Sequence, residues 1–160
     1  MKQKVSLSSR STMLTFVVSA LLLSLIYYFY SRHETVIFCI MAGCTTVYAL
    51  CSLFFMPMSV ELDDRNLTVN MSLRHRRFPV SEIAAVKRYT PAMGEHRLLG
   101  SGGYCGYWGW FSNREIGKYF AYYGQSSDCF LILMRNGRRY MLGCKNPDEM
   151  VKAISGRIGQ

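Results

Sequence analysis

From Thr12 onward the apolar positions of this chain run together instead of alternating. Thr12 to Tyr30 (TMLTFVVSALLLSLIYYFY) holds nineteen residues without a formal charge, and a helix of that length rises about 28 Å, close to the hydrocarbon thickness of a bilayer. The short stretch SRHET follows, with Arg32 and Glu34 the only charges between Thr12 and Met58. Thr35 to Met58 (TVIFCIMAGCTTVYALCSLFFMPM) is uncharged again and long enough to span with some tilt. The pattern predicts two transmembrane helices, 12–30 and 35–57, joined as a hairpin, behind a tail of residues 1–11.

At Pro57 the period changes and a second unit, 58–160, begins. Met58 to Leu62 reads as a strand, and Asp63-Asp64-Arg65-Asn66 as a turn. Leu67, Val69, Met71 and Leu73 then alternate with polar residues at the spacing of a half-buried strand. Phe78-Pro79-Val80-Ser81-Glu82-Ile83 leads into a further strand, Ala84 to Tyr89, whereas Pro91 to Leu99 yields no strand. Cys129 to Met134 and Arg139 to Cys144 flank Asn136-Gly137, a tight-hairpin signal. Asn146-Pro147-Asp148-Glu149 supplies a cap, a first-turn proline and two acids near the positive end of a helix, with Met150, Val151, Ile154 and Ile158 on one face.

Charge orients this arrangement. The formal net charge is +9, with Lys2, Lys4 and Arg10 in the tail, while Arg32 and Glu34 cancel in the loop. The positive-inside rule therefore places both termini in the cytoplasm, and the two spans make the chain an integral membrane protein with the bilayer itself as a partner. The tail is expected to be poorly ordered and to meet anionic lipid head groups. Tyr27, Tyr28 and Tyr30 suit an outer aromatic belt. A cleaved signal peptide is disfavoured by the length of the first run and by Tyr27-Tyr28-Phe29-Tyr30 where small residues would be needed. The lipobox-like Met41-Ala42-Gly43-Cys44 comes after a complete span, and two such runs in so small a chain argue against a buried core helix. Ala42, Gly43, Thr45, Thr46 and Ala49 form a small-residue region, with Gly43 and Ala49 expected to pack on the first helix.

Known chemistries find little support. Gly100 to Gly109 (GSGGYCGYWG) is the most distinctive stretch, but a dinucleotide fingerprint starting at Gly100 needs glycine where Cys105 stands, and a phosphate loop ending at Gly117-Lys118 needs glycine where Ser112 stands. No cofactor is expected. Two readings remain for Gly102, Gly103, Tyr104, Tyr107 and Trp108: a glycine-permitted turn packed with aromatics, or an exposed binding loop. The six cysteines include no C-x-x-C pair and the three histidines have no ligand at metal spacing, so no metal is expected. Glu95-His96 lacks a nucleophile, and no catalytic residue is assigned. A nucleic-acid role fits neither the tether nor the motifs. Arg74, Arg76, Arg77, Lys87, Arg88, Arg138 and Arg139 have two readings, contact with anionic lipid heads or solvated strand faces.

The strand-rich run ending in one helix, with Phe78-Pro79-Val80-Ser81-Glu82-Ile83, the segment GSGGYCGYWGWFSNREIGKYFAYY and Asn146-Pro147-Asp148-Glu149, resembles the bacterial pleckstrin-homology-like (PH-like) domains found behind short membrane hairpins. The resemblance covers Met58 to Ile158. It implies an α+β fold, a bent, mostly antiparallel barrel of about seven strands capped by the C-terminal helix. It also implies a binding or scaffolding module without catalysis, or an accessory subunit of a larger membrane complex. The partner would be a lipid head group or another membrane protein.

Overall fold

The structure is a computed structural model and describes residues 1–91 and 95–158. The two apolar runs are helices, α1 (Ser9–Ser31) and α2 (Thr35–Phe55). Ser8 caps α1, its side chain accepting from the Ser11 N–H. Both helices are long and apolar enough to cross a bilayer, and 0% and 6% of their most apolar windows are buried.

Among the described residues, ten strands follow or precede them: β1 (Lys2–Lys4), β2 (Pro57–Leu62), β3 (Asn66–Met71), β4 (His75–Pro79), β5 (Ile83–Arg88), β6 (His96–Gly103), β7 (Gly106–Asn113), β8 (Gly117–Tyr123), β9 (Cys129–Met134) and β10 (Arg139–Gly143); α3 (Pro147–Ile158) follows β10. One sheet has the order β1-β2-β3-β4 and the other β5-β9-β10-β8-β7-β6, with β8 and β10 parallel and every other pair antiparallel. The sheets are not closed into a barrel, and the strands outnumber the seven expected. One of the extra strands comes from the tail. Another is β6, whose first residues, His96 to Leu99, belong to the segment Pro91 to Leu99, where the sequence pattern yields no strand; residues 92–94 of that segment, and 159–160 of the expected 58–160 unit, lie outside the described residues.

The main core lies between the sheets under α3. Val60, Leu62, Leu67, Val69 and Ile83 meet Tyr122, Phe130, Ile132 and Leu142, and Met150 and Ile154 of α3 close it. Fully burying one such aliphatic or aromatic side chain stabilises the fold by about 1.5–3 kcal/mol. Residues of opposite parity on the larger sheet, Tyr119, Ala121, Tyr123, Leu131 and Met141, form a second cluster with Phe111 and Ile116. It draws only on that sheet and its turns, so the sheet curls round its own apolar face. The Asn136-Gly137 hairpin and the proline-led α3 are where the pattern put them. Leu73 is not in β3; it is exposed in the turn that follows.

The tail is ordered, contrary to expectation. β1 pairs with β2, Lys2 opposite Glu61 and Lys4 opposite Ser59. Val5 N–H donates to Met58 O (2.9 Å), Lys145 N–H to Lys4 O (3.0 Å), and Ser8 N–H to Gly124 O (3.2 Å). A Cβ on Gly124 would stand 2.3 Å from Ser6 O, so only glycine allows this approach. The tail thus runs from the edge of the smaller sheet across to the larger one. Free backbone groups on the β2 edge, and not the propensity of Lys-Gln-Lys, make it a strand.

Candidate functional site

The glycine-aromatic segment forms the β6–β7 hairpin, and this hairpin lies against the two long helices. Gly100 and Gly109 face each other across it, both at positive φ (127° and 119°), and a Cβ on either would meet the opposite carbonyl oxygen at 2.1 Å. This pair bends the hairpin. Residues 97 and 102 of a straight strand would be about 16 Å apart, yet the Arg97 guanidinium reaches to 3.0 Å from where a Gly102 Cβ would stand.

The bend brings the tip onto α1. Ser11 Oγ donates to Gly103 O, Cys105 N–H donates to Thr15 Oγ1 (3.0 Å), and Ser19 Oγ meets Tyr104 Oη at 3.0 Å. Ser11, Thr15 and Ser19 recur every four residues and so share one face of α1. α2 contributes Tyr48, its ring tilted against that of Tyr104 at 4.9 Å, and Phe55, parallel to Trp108 at 5.0 Å. The sequence reading missed this hydroxyl ladder, although its i, i+4, i+8 spacing was there to be read. Of the two readings for the segment, packing accounts for Gly103, Tyr104, Tyr107 and Trp108, with Tyr107 stacked on Tyr123 at 4.8 Å. Gly102 is exposed. The indole N–H of Trp108 is buried without a hydrogen-bond partner among the described residues, a state that costs about 1–3 kcal/mol.

Gly43 does not pack on α1: nothing lies within 4 Å of where its Cβ would stand. Ala49 is exposed as well, whereas Ala42 and Thr45 are half-buried. A five-residue connection forces the helices to be antiparallel but does not choose the contacting face. Gly43 instead lines an apolar groove of about 700 Å³ with Val47, Cys51, Leu99 and Trp108.

The predicted arginines do not form one patch. Arg74 lies over the Phe55 ring at 5.4 Å, beside the helices. Arg76 is half-buried and donates to Tyr122 Oη (3.2 Å) and Tyr140 Oη (2.8 Å), its guanidinium 4.8 Å from the Tyr140 centroid; it braces the seam between the sheets. Arg77 is exposed on β4. Arg138 and Arg139 follow the β9–β10 turn at the opposite end of the domain, since Arg135 N–H bonds Glu82 O there. That end also carries a groove of about 650 Å³ lined by Arg65, Ser81, Arg135 and Arg157, where Arg157 pairs with Asp64 at 3.4 Å. The six residues of β2 set it roughly 20 Å from the end of α2.

Glu95 receives hydrogen bonds from Tyr119 Oη and from Asn113 Nδ2 (3.3 Å), and Tyr89 Oη donates to Glu115 (3.3 Å). Burial, and then the bond to Glu95, push the Tyr119 phenol far up. Its carboxylate partner is engaged with side chains of the fold itself.

Neither a curated protein nor a solved structure matches the chain. The bacterial PH domain model matches residues 58–158, which covers the strands from the second residue of β2 through β10 and the whole of α3, and leaves out β1. The two-sheet body capped by α3, with the kinked β6–β7 hairpin docked on the helices before it, is accordingly that of a member of the bacterial PH domain family.

Proposed function

We propose that this chain is a membrane-anchored, non-catalytic binding or scaffolding module. α1 and α2 cross the bacterial cytoplasmic membrane as a hairpin, both chain ends lie on the cytoplasmic side, and the PH domain is held against the inner leaflet. One observation carries this reading: the domain is fastened to both helices, through Ser11, Thr15 and Ser19 on α1 and through Tyr48 and Phe55 on α2. A domain welded in this way keeps a fixed orientation to whatever surrounds the helices. The pairing of β1 with β2 supports a tail and a domain on one side of the bilayer, and the basic tail supports the cytoplasmic side.

A fixed domain presents its far end to soluble or membrane-bound protein partners, and the groove at Arg65, Arg135 and Arg157 is the surface offered there. The engagement of Glu95 by Tyr119 and Asn113 supports a role without catalysis.

A cysteine placed at the exposed Asp64 (Asp64→Cys) tests the topology. A membrane-impermeant maleimide is expected to label it in inside-out vesicles and to leave it unlabelled in intact spheroplasts; labelling in spheroplasts would overturn the reading. The uncovered Gly43 and Ala49 favour a second reading, an accessory subunit of a larger membrane complex. Under it, Gly43→Leu with Ala49→Leu strips co-purifying membrane proteins while the domain stays folded.

A further inference from the structure

The bilayer reading fixes a depth for the β6–β7 hairpin. Ser19, which meets Tyr104, is ten residues into α1, or about 15 Å along its axis. The 23 residues of α1 give a rise of about 34 Å, little more than one hydrocarbon core, so the hairpin tip lies within the inner leaflet. Its composition agrees: Leu98 to Asn113 carries no charge, and Leu98, Leu99 and Trp110 are 53%, 72% and 40% exposed. Strand backbone at that depth needs internal partners, and Ser11 and Thr15 supply them at Gly103 and Cys105.

Between this hairpin and α2 lies the groove of about 700 Å³ walled by Gly43, Val47 and Cys51 on one side and Leu99, Gly100 and Trp108 on the other. Two cations stand near it without lining it. Arg97 lies over Gly102, next to the wall, and Arg74 lies over Phe55, the ring stacked on Trp108. No carboxylate among the described residues pairs with either. Trp108 adds a buried indole N–H without an acceptor. An apolar slot at leaflet depth with two unpaired guanidiniums near it matches one kind of molecule.

We propose that the groove seats an acyl chain of an anionic phospholipid of the inner leaflet, with its phosphate drawn to Arg97 and Arg74 and its ester oxygens at the level of Trp108. The lipid then acts as a wedge that completes the contact between α2 and the PH domain. This rests on the membrane-anchored reading of the chain.

The chain has two tryptophans, so Trp110→Phe leaves Trp108 as the only indole reporter. The full chain is reconstituted in liposomes containing either phosphatidylglycerol or phosphatidylcholine brominated on the acyl chain, at matched mole fractions. Trp108 fluorescence is expected to be half-quenched at no less than about fivefold lower brominated phosphatidylglycerol than phosphatidylcholine, the ratio that a single arginine gives a lipid of net negative charge over a zwitterionic one. Arg97→Gln should lower that ratio and Arg97→Gln with Arg74→Gln should bring it close to one, and Val47→Phe, at an exposed position, should weaken quenching by both lipids. Equal quenching by the two lipids, or a ratio indifferent to Arg97→Gln, overturns the proposal. Absence of quenching by either lipid in liposomes that retain the chain gives the groove to a neighbouring helix and also overturns it. A chain that fails to sediment with liposomes defeats the membrane reading itself.

Discussion

Arg76 looked, among its neighbours in Arg74-His75-Arg76-Arg77, like one more solvated charge on a strand. Its guanidinium instead joins the hydroxyls of Tyr122 and Tyr140 and lies over three rings, those of Phe78, Phe120 and Tyr140. Replacing it with glutamine is expected to cost about 1–3 kcal/mol, since two hydrogen bonds to a charged donor and the cation–π contacts go together. A urea titration of the full chain in detergent measures this as a lower midpoint at unchanged slope. Gly109→Ala is expected to cost at least about 2 kcal/mol, because the new Cβ meets Leu99 O at a residue with φ of 119°. Faster amide exchange over Leu99 to Trp110 would report it. Single residues were the least legible scale: a basic run does not say which member turns inward, and Gly100 and Gly109 look alike until their register makes them a pair.

The elements that could be read were those whose signal is local. Asn136-Gly137 with its flanking strands, and Asn146-Pro147 opening α3, carry their geometry in adjacent residues. β1 and β6 do not. Lys-Gln-Lys becomes a strand because β2 has a free edge, and His96 to Gly103 lacks alternation because a bulge after Arg97 and the bend at Gly100 break its period. Docking of the β6–β7 hairpin depends on the α1 hydroxyls. Ser11→Ala, Thr15→Ala and Ser19→Ala together are expected to loosen the tip by about 1–3 kcal/mol, at roughly 0.6 kcal/mol or somewhat more per bond. Hydrogen exchange should then rise at Gly102 to Gly106 and leave β9 and β10 unchanged. Val5→Pro removes the N–H that Met58 O accepts, and is expected to lower stability by about 1–3 kcal/mol in the same titration.

For the molecule as a whole, the buried thiols and phenols set an alkaline limit. Burial pushes the Cys144 thiol up to about 12 and the Cys129 thiol well above its ordinary value; burial is also the main cause that raises the phenols of Tyr119 and Tyr123. The fold favours the neutral form of each. Their contribution is therefore complete below the unfolded values, 9.0 for the thiols and 10.0 for the phenols, and drains away as pH rises through the folded ones. Melting temperature is expected to be unaffected by these groups up to about pH 9 and to fall steadily between about pH 9 and 12. Alkylation of Cys129 and Cys144 should stay slow until that fall begins.

The β1–β2 pairing also decides where the chain can be cut. A fragment beginning at Pro57 keeps every residue of the family match, yet it loses the three residues that shield the outer rim of β2. Six residues of unpaired backbone would then be open to the same segment of another copy. Such a head, freed from its anchor, is expected to self-associate on size-exclusion chromatography. Grafting Met1 to Ser8 back through a flexible tether should return it to a monomer, because the missing strand is donated from the far side of the hairpin.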